Sequence, residues 1–287
     1  MYDCIIIGAG PAGISASLYI KRANLNVAVF YYGESQLEQA HKIDNYYGFE
    51  NGISGKDLYL AGINQAKNLG IDIKEEEVLD IKIKDINLFE IKTTQKEYEA
   101  KSIIFATGDK KIRPNIKGIE ELEGKGISYC AICDGFFYRN KNVAIIGNGE
   151  YAISEAEDLE NIVANLTILT NGLENPNTTK YKIDTRKIIE IKGENKVESI
   201  VFEDKTEMQL DGLFIALGIA GGSDFAKKIG VMSENDRIIV NENMETNIPG
   251  IFACGNLTGG LLQVNKAVYE GAKAGLQVIT FVKNLKE

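Results

Sequence analysis

The chain has 287 residues, 44% hydrophobic and 25% charged with four prolines, which is enough apolar material for a core without disulfide staples. A formal charge of −9 and a pI of about 5.0 argue against a nucleic-acid partner, and no apolar stretch approaches the roughly 20 residues that cross a bilayer. Four cysteines with one close pair do not form a secreted framework, and the single His41 rules out a histidine-rich metal site, so a cytoplasmic, metal-free protein is expected.

The apolar run Cys4 to Ile7 opens the chain without the basic region or cleavage site of a signal peptide. It reads as a parallel strand covered on both faces. Gly8-Ala9-Gly10-Pro11-Ala12-Gly13 follows, then a helix with small residues on one face, then the strand Val27 to Phe30. This is a βαβ unit with G-x-G-x-x-G between strand and helix, a setting that suits a pyrophosphate. The ribose-binding acid of such a unit should fall near Tyr31 or Tyr32, and Glu34 is the nearest carboxylate.

Residues 72 to 105 alternate as a β-meander, ending in Ser102 to Ala106 and the tight passage Ala106-Thr107-Gly108. The opening pattern then recurs: strand Val143 to Ile146, turn Gly147-Asn148-Gly149-Glu150-Tyr151-Ala152, a helix to about Leu159, strand Leu166 to Leu169. A further alternation, Ile188 to Phe202 and Gly212 to Leu217, closes this second unit. After residue 243 come a strand ending in a glycine turn and a helix from about Gln263 to Val282. The fold class implied is α/β: two Rossmann-like, three-layer ββα dinucleotide-binding domains, the second inserted in the first. Residues 1–112 and 243–287 form one, and 113–242 the other, which carries the cysteine pair.

Cys130-Ala131-Ile132-Cys133 is the chemical centre. Two intervening residues let both sulfurs share one helical turn, so a disulfide can close and reopen without large motion. Asp134 is placed to exchange a proton with a thiol. The competing readings are half a zinc site or two core cysteines, but no second C-x-x-C or histidine pair exists. Cys4 and Cys254 lie in apolar strands and read as small buried hydrophobes.

The segment Ser128-Tyr129-Cys130-Ala131-Ile132-Cys133-Asp134-Gly135, with Phe137-Tyr138-Arg139, resembles the redox segment of low-molecular-weight thioredoxin reductases. So do the opening glycine turn, Asp44-Asn45-Tyr46-Tyr47-Gly48, Ala106-Thr107-Gly108 and the stretch from Ile248 to Asn256. The resemblance implies a homodimeric FAD flavoprotein in which Cys133 faces the flavin, Cys130 attacks thioredoxin and Asp134 is the acid. It places Gly8, Gly10, Pro11, Ala12 and Gly13 at the FAD, with Glu34, Gln36, Asn45, Thr107 and Gly108. Gly255, Asn256, Gln263 and Val264 complete that set, Asn256 standing where the family carries a carboxylate.

The second glycine unit departs from the family. Its His-Arg-Arg cluster and further arginine, which grip the 2′-phosphate of NADPH, are replaced by Thr170-Asn171-Gly172 and Pro176. No cation means no charge-assisted phosphate clamp, and Thr170 is not the acid an NADH site needs. Glu174 lies four residues on, in turn material. Tyr151 puts a bulky ring early in the helix, and Thr170 to Lys187 leaves little room for a crossover helix. The nucleotide site therefore reads as degenerate, and the closest resemblance is to ferredoxin-dependent flavin thioredoxin reductase, with ferredoxin as donor. Lys110, Lys111, Arg113 and Lys117 are candidates for a basic docking patch. The alternatives are an NAD(P)H-dependent thioredoxin reductase, an oxygen-using dithiol oxidase and a flavin-binding redox sensor.

Overall fold

Continuous apolar strands need cover on both faces, and each half of the chain supplies it. The computed structural model describes residues 1–108, 114–218, 221–234 and 237–285; the side chain of Cys133 lies outside the described residues. The chain forms two units, Met1–Lys110 with Gly221–Glu287, and Lys111–Ala220.

In the first unit a five-stranded sheet runs in the order Ile251–Ala253, Ile103–Phe105, Cys4–Ile7, Val27–Tyr31, Asp72–Glu75. All its pairings are parallel. Alternate residues point to opposite faces. Ile6, Val29, Ile104 and Phe252 join the core beneath the helices. On the sheet's other side Phe30 meets Tyr98 edge-on, with ring centroids 4.7 Å apart. Tyr98 belongs to a three-stranded antiparallel sheet of Val78–Asp85, Leu88–Thr93 and Glu97–Ala100. The expected meander is thus split: Asp72–Glu75 extends the parallel sheet, and only the strands after it turn back on one another.

Helix Pro11–Arg22 is crossed by the last helix, Val264–Asn284. The contact depends on missing side chains, since a Cβ on Gly271 would run into the Ala12 carbonyl and one on Gly275 would come within 2.7 Å of the Ala16 carbonyl. The small face anticipated on the first helix is this surface.

The chain re-enters the first unit at Gly221, earlier than the expected residue 243. The short helix Gly222–Lys228 accounts for the difference. Its Gly222 N–H donates to Thr107 Oγ1 at 3.0 Å, and a Cβ on Gly222 would crowd that hydroxyl.

The second unit repeats the plan. Its parallel sheet runs Lys182–Asp184, Asn165–Leu169, Asn142–Ile146, Gly212–Ile215, Ile127–Ser128. A three-stranded antiparallel sheet of Ile188–Lys192, Ser199–Phe202 and Glu207–Gln209 accompanies it. Ile146, Leu169, Ile200, Phe202 and Leu213 meet in its core.

Candidate functional site

The first glycine turn sits at the carboxyl end of strand Cys4–Ile7, the edge where open α/β sheets bind ligands. Gly8 has φ +112°, and a Cβ there would run into the Ala106 carbonyl; one on Gly13 would run into the Gly8 carbonyl. The turn must therefore be glycine to pass this close to its neighbours. Gly10 caps helix Pro11–Arg22 with no side-chain hydrogen bond, and the first turn of that helix holds no acidic residue. Its N–H groups and positive dipole end are left for an anion.

Other expected cofactor residues gather in this unit. Gln36 lies beside Gly108, where a Cβ would stand 3.6 Å from its side-chain oxygen. Asn45 Nδ2 donates to Gln263 Oε1 at 2.9 Å, one residue before Val264 starts the last helix. Gly255, at φ +80°, packs with its Cβ position 3.0 Å from Ala12. Glu34 is exposed in the loop past strand Val27–Tyr31.

Sequence reasoning missed a buried ion pair under the 255–259 loop. Lys266 Nζ lies 3.0 Å from Glu270 Oε2, with side chains only 14% and 12% exposed. Lys266 donates to the carbonyls of Gly255, at 2.7 Å, and Gly259, and to Thr258 Oγ1. Glu270 accepts from Gly255 N–H and Thr258 Oγ1, each at 2.9 Å. The pair fixes the loop that carries Gly255 and Asn256. Helical spacing in an amphipathic sequence does not reveal it, because i,i+4 Lys–Glu pairs are usually solvated.

The redox segment lies in the second unit, on the short helix Ala131–Asp134 after strand Ile127–Ser128. Cys130 is buried and disulfide-bonded. Cys4 and Cys254 are free and fully buried; burial pushes the Cys4 thiol up to about 12, and burial followed by the Glu270 charge raises that of Cys254. Neither is a thiolate, as their apolar strands anticipate.

Ser128 Oγ accepts from Cys130 N–H at 3.1 Å and donates to Asp134 at 2.6 Å. Asp134 N–H in turn reaches the Cys130 carbonyl at 3.2 Å. The proposed acid and the buried cysteine thus share one hydrogen-bonded turn. Tyr138 feels that acid: burial, then the Asp134 charge, raises its hydroxyl. Ile132, Phe136 and Phe137 stand out beside the turn, the two phenylalanines 67% and 68% exposed. Arg139 lies over the Phe136 ring, 5.2 Å from its centroid. A further residue not anticipated is Glu155, only 1% exposed, which accepts the Ala131 N–H at 2.6 Å.

The second glycine turn keeps its backbone form. A Cβ on Gly147 would run into the Ala216 carbonyl, whereas one on Gly149 would meet nothing. The surroundings differ from those of the first. Helix Glu150–Leu159 begins with Glu150, which supplies its own negative charge at the dipole's positive end. Tyr151 is buried, its hydroxyl donating to the Tyr129 carbonyl at 3.3 Å.

At the strand end, Thr170 is fully buried, and Asn171 Oδ1 accepts from Ile188 N–H at 2.8 Å. Among the described residues no helix joins Asn165–Leu169 to its parallel neighbour Lys182–Asp184. Arg186, the next arginine along, is held by Asp184 at 2.5 Å and Asp204 at 3.6 Å and stacks on Phe202. Of the expected docking cations, Lys110, Lys111 and Arg113 lie outside the described residues, and Lys117 pairs with Glu190 at 2.6 Å.

Among the described residues no group of three or more histidine, cysteine or acidic side chains could hold a metal ion, and no helix is long and apolar enough to cross a membrane.

A family model described as pyridine nucleotide-disulphide oxidoreductase matches residues 2–271. A thioredoxin reductase of Listeria innocua is 33% identical, over 100% of this chain and 96% of its own length. The crystal structure of an atypical thioredoxin reductase from Desulfovibrio vulgaris Hildenborough superposes with a TM-score of 0.91 at 37% identity, covering 99% of both chains. A ferredoxin-flavin thioredoxin reductase from Clostridium acetobutylicum superposes with a TM-score of 0.72 at 33% identity, covering 100% of this chain and 99% of its own.

Proposed function

The chain belongs to the pyridine nucleotide-disulphide oxidoreductase family and is an FAD-dependent disulfide reductase of the thioredoxin reductase type, and within that type we propose that reduced ferredoxin is its electron donor and thioredoxin its acceptor. One observation carries the choice of donor. The helix at the first glycine turn starts without an acid, while the helix at the second starts with the chain's own carboxylate and a buried tyrosine. Glu150 brings a carboxylate to the helix start, where it opposes a second anion, and the buried Tyr151 ring follows it in the first turn. Thr170 and Asn171 are turned to internal packing and bonding. The likeness to the Clostridium acetobutylicum enzyme supports the same reading.

The open glycine turn and the absence of acid from helix Pro11–Arg22 fit a dinucleotide pyrophosphate. Gly8, Gly10 and Gly13 would pass close to it, and Gly255 and Asn256 would face it from the loop that Lys266 and Glu270 hold. FAD, when bound, supplies the capacity to join a one-electron donor to a two-electron disulfide.

The chain's own part is thiol–disulfide exchange. With the Cys130/Cys133 pair reduced, the Cys130 thiolate attacks one sulfur of the partner's disulfide. A Cys130–partner bond forms, the partner's S–S bond breaks, and its second sulfur leaves as thiolate and takes up a proton. Cys133 thiolate then attacks the Cys130 sulfur. The pair's disulfide re-forms and the partner leaves fully reduced, having gained two electrons. Asp134, tied to the Cys130 turn through Ser128, supplies and recovers a proton. Ile132, Phe136 and Phe137 offer the partner an apolar surface next to the pair. The protein works as a cytoplasmic homodimer in this reading.

The test is thiol formation on thioredoxin with reduced ferredoxin, NADPH or NADH as sole donor under anaerobic conditions. Turnover with ferredoxin alone supports the proposal. Brisk turnover with either nucleotide overturns the donor and favours the second reading, an NAD(P)H-dependent thioredoxin reductase, for which the preserved geometry of Gly147 and Gly149 speaks. Peroxide release from a small dithiol and oxygen would instead mark a dithiol oxidase.

A further inference from the structure

An electron donor must come close to the cofactor it reduces, because transfer falls off steeply with distance. The surface offered to thioredoxin, Ile132 with Phe136 and Phe137, belongs to the second unit, so the donor needs one of its own in the first, beside the residues expected at FAD. Two loops of the first unit provide it. Residues 43–53 form a loop closed at its base, where the Ile43 N–H donates to the Ile53 carbonyl at 2.8 Å and the reverse bond measures 3.1 Å. At its crest Tyr47 is 94% exposed, and the exposed Phe49 stacks on Tyr46 with ring centroids 6.0 Å apart. A Cβ on Gly48, between them, would meet nothing. The second loop exposes Leu261, at 65%, and Leu262. It is laced to the first just behind these side chains: Asn45 Nδ2 donates to Gln263 Oε1 at 2.9 Å, and Asn265 Nδ2 to the Asn45 carbonyl at 3.4 Å. The residues of this seam, Asn45 and Gln263, are themselves expected at FAD.

Neither residues 45–49 nor residues 255–265 include a charged side chain, in a chain of formal charge −9. At the margins Asp44 is paired with Lys42 at 2.9 Å, and Glu50 is exposed. The 21-residue helix Val264–Asn284 begins at the seam without a side-chain cap or an acid in its first turn, which puts its positive end there. Lys266 in that turn is balanced by Glu270. An acidic partner therefore meets less repulsion here than the net charge of the chain would give it. Even at about 150–250 Å² for each aromatic ring, the patch falls short of the ~800 Å² per partner that a lasting interface takes, and has the size redox proteins use for brief encounters.

We propose that Tyr47, Phe49, Leu261 and Leu262 form the docking surface for a small acidic iron–sulfur donor, the reduced ferredoxin of the proposed function, on which the inference rests. Two donor molecules dock in turn, each leaving one electron and departing oxidised. The two electrons, with two protons from solvent, open the Cys130/Cys133 disulfide to the dithiol.

The test titrates oxidised ferredoxin into the flavin-loaded protein by calorimetry, and separately times flavin bleaching by reduced ferredoxin without oxygen. In a Tyr47→Ser, Leu261→Ser double variant the Kd should rise at least about tenfold, and bleaching at low donor concentration should slow in proportion. Its flavin content should be unchanged, as should bleaching by dithionite, which is too small to need a docking surface. In the parent, raising salt to about 0.5 M should leave the Kd within about threefold, since uncharged contacts are not screened.

A double variant that binds and bleaches like the parent would overturn the proposal. So would parental binding that collapses in salt, which would mark a basic docking site, or a parental dimer that turns monomeric in the variant, which would give the patch to a second copy. A parent that ferredoxin neither binds nor bleaches would instead sink the donor reading, and this inference with it.

Discussion

Replacing Lys266 with methionine should destabilise the first unit by much more than a surface lysine would. Lys266 Nζ donates to two backbone carbonyls and one hydroxyl and lies 3.0 Å from Glu270, with both side chains largely buried. Each donation contributes roughly 1 kcal/mol. Removing one partner of a buried ion pair costs about 3–5 kcal/mol in total, since the other charge stays buried. We take about 4 kcal/mol, a fall of about 8 °C in Tm at ~2 °C per kcal/mol for a chain of this size. The flavin content should fall as well, because the loop held by Lys266 carries Gly255 and Asn256. A Lys266→Met, Glu270→Gln double variant should regain more than half of the lost Tm: no charge is left unpaired, and the glutamine oxygen still accepts from Gly255 N–H. Thermal melting with flavin quantified by absorbance measures all of this. A single variant within about 1 °C of the parent, or a double variant no better than the single, would refute the reasoning.

Two further outcomes can be checked cheaply. Gly13→Ala drives a methyl into the Gly8 carbonyl and should cost about 1–3 kcal/mol, yielding protein depleted in FAD by absorbance; full flavin occupancy would contradict the cradle. The hydrogen bonds from Arg186, above all, hold the Asp184 carboxyl below its ordinary value. A lowered folded value stabilises above the unfolded one and is lost as pH falls through the folded one. Acid unfolding should therefore steepen below pH ~4, and Asp184→Asn should flatten that limb.

Much of this molecule was legible in its sequence where backbone constraints are strict. Gly8 and Gly13 face carbonyls at distances no side chain allows, so the spacing itself marks the turn. The cysteine spacing was equally plain, as were the strands Cys4 to Ile7 and Val143 to Ile146, whose apolar runs call for a doubly covered sheet.

Long-range choices were not legible. Gly221-Gly222 reads as one more flexible turn, and only its fit against Thr107 shows the chain returning to the first unit there. Glu155 sits in the acidic run Glu155-Ala156-Glu157-Asp158, where periodicity gives no sign of which carboxylate turns inward to the Ala131 amide. Glu150 lies within the second glycine turn, where its position carries no sign of a role. Its meaning comes from contrast with the acid-free start of helix Pro11–Arg22.

The donor is the central claim, and the flavin's own absorbance tests it most directly. The yellow protein, held without oxygen, is given NADPH, then NADH, then reduced ferredoxin while its spectrum is followed. The account predicts no change with either nucleotide and prompt bleaching with ferredoxin. Rapid bleaching by NADPH or NADH would contradict it, and would mean that Glu150, Tyr151 and Thr170 leave room for a nicotinamide nucleotide after all.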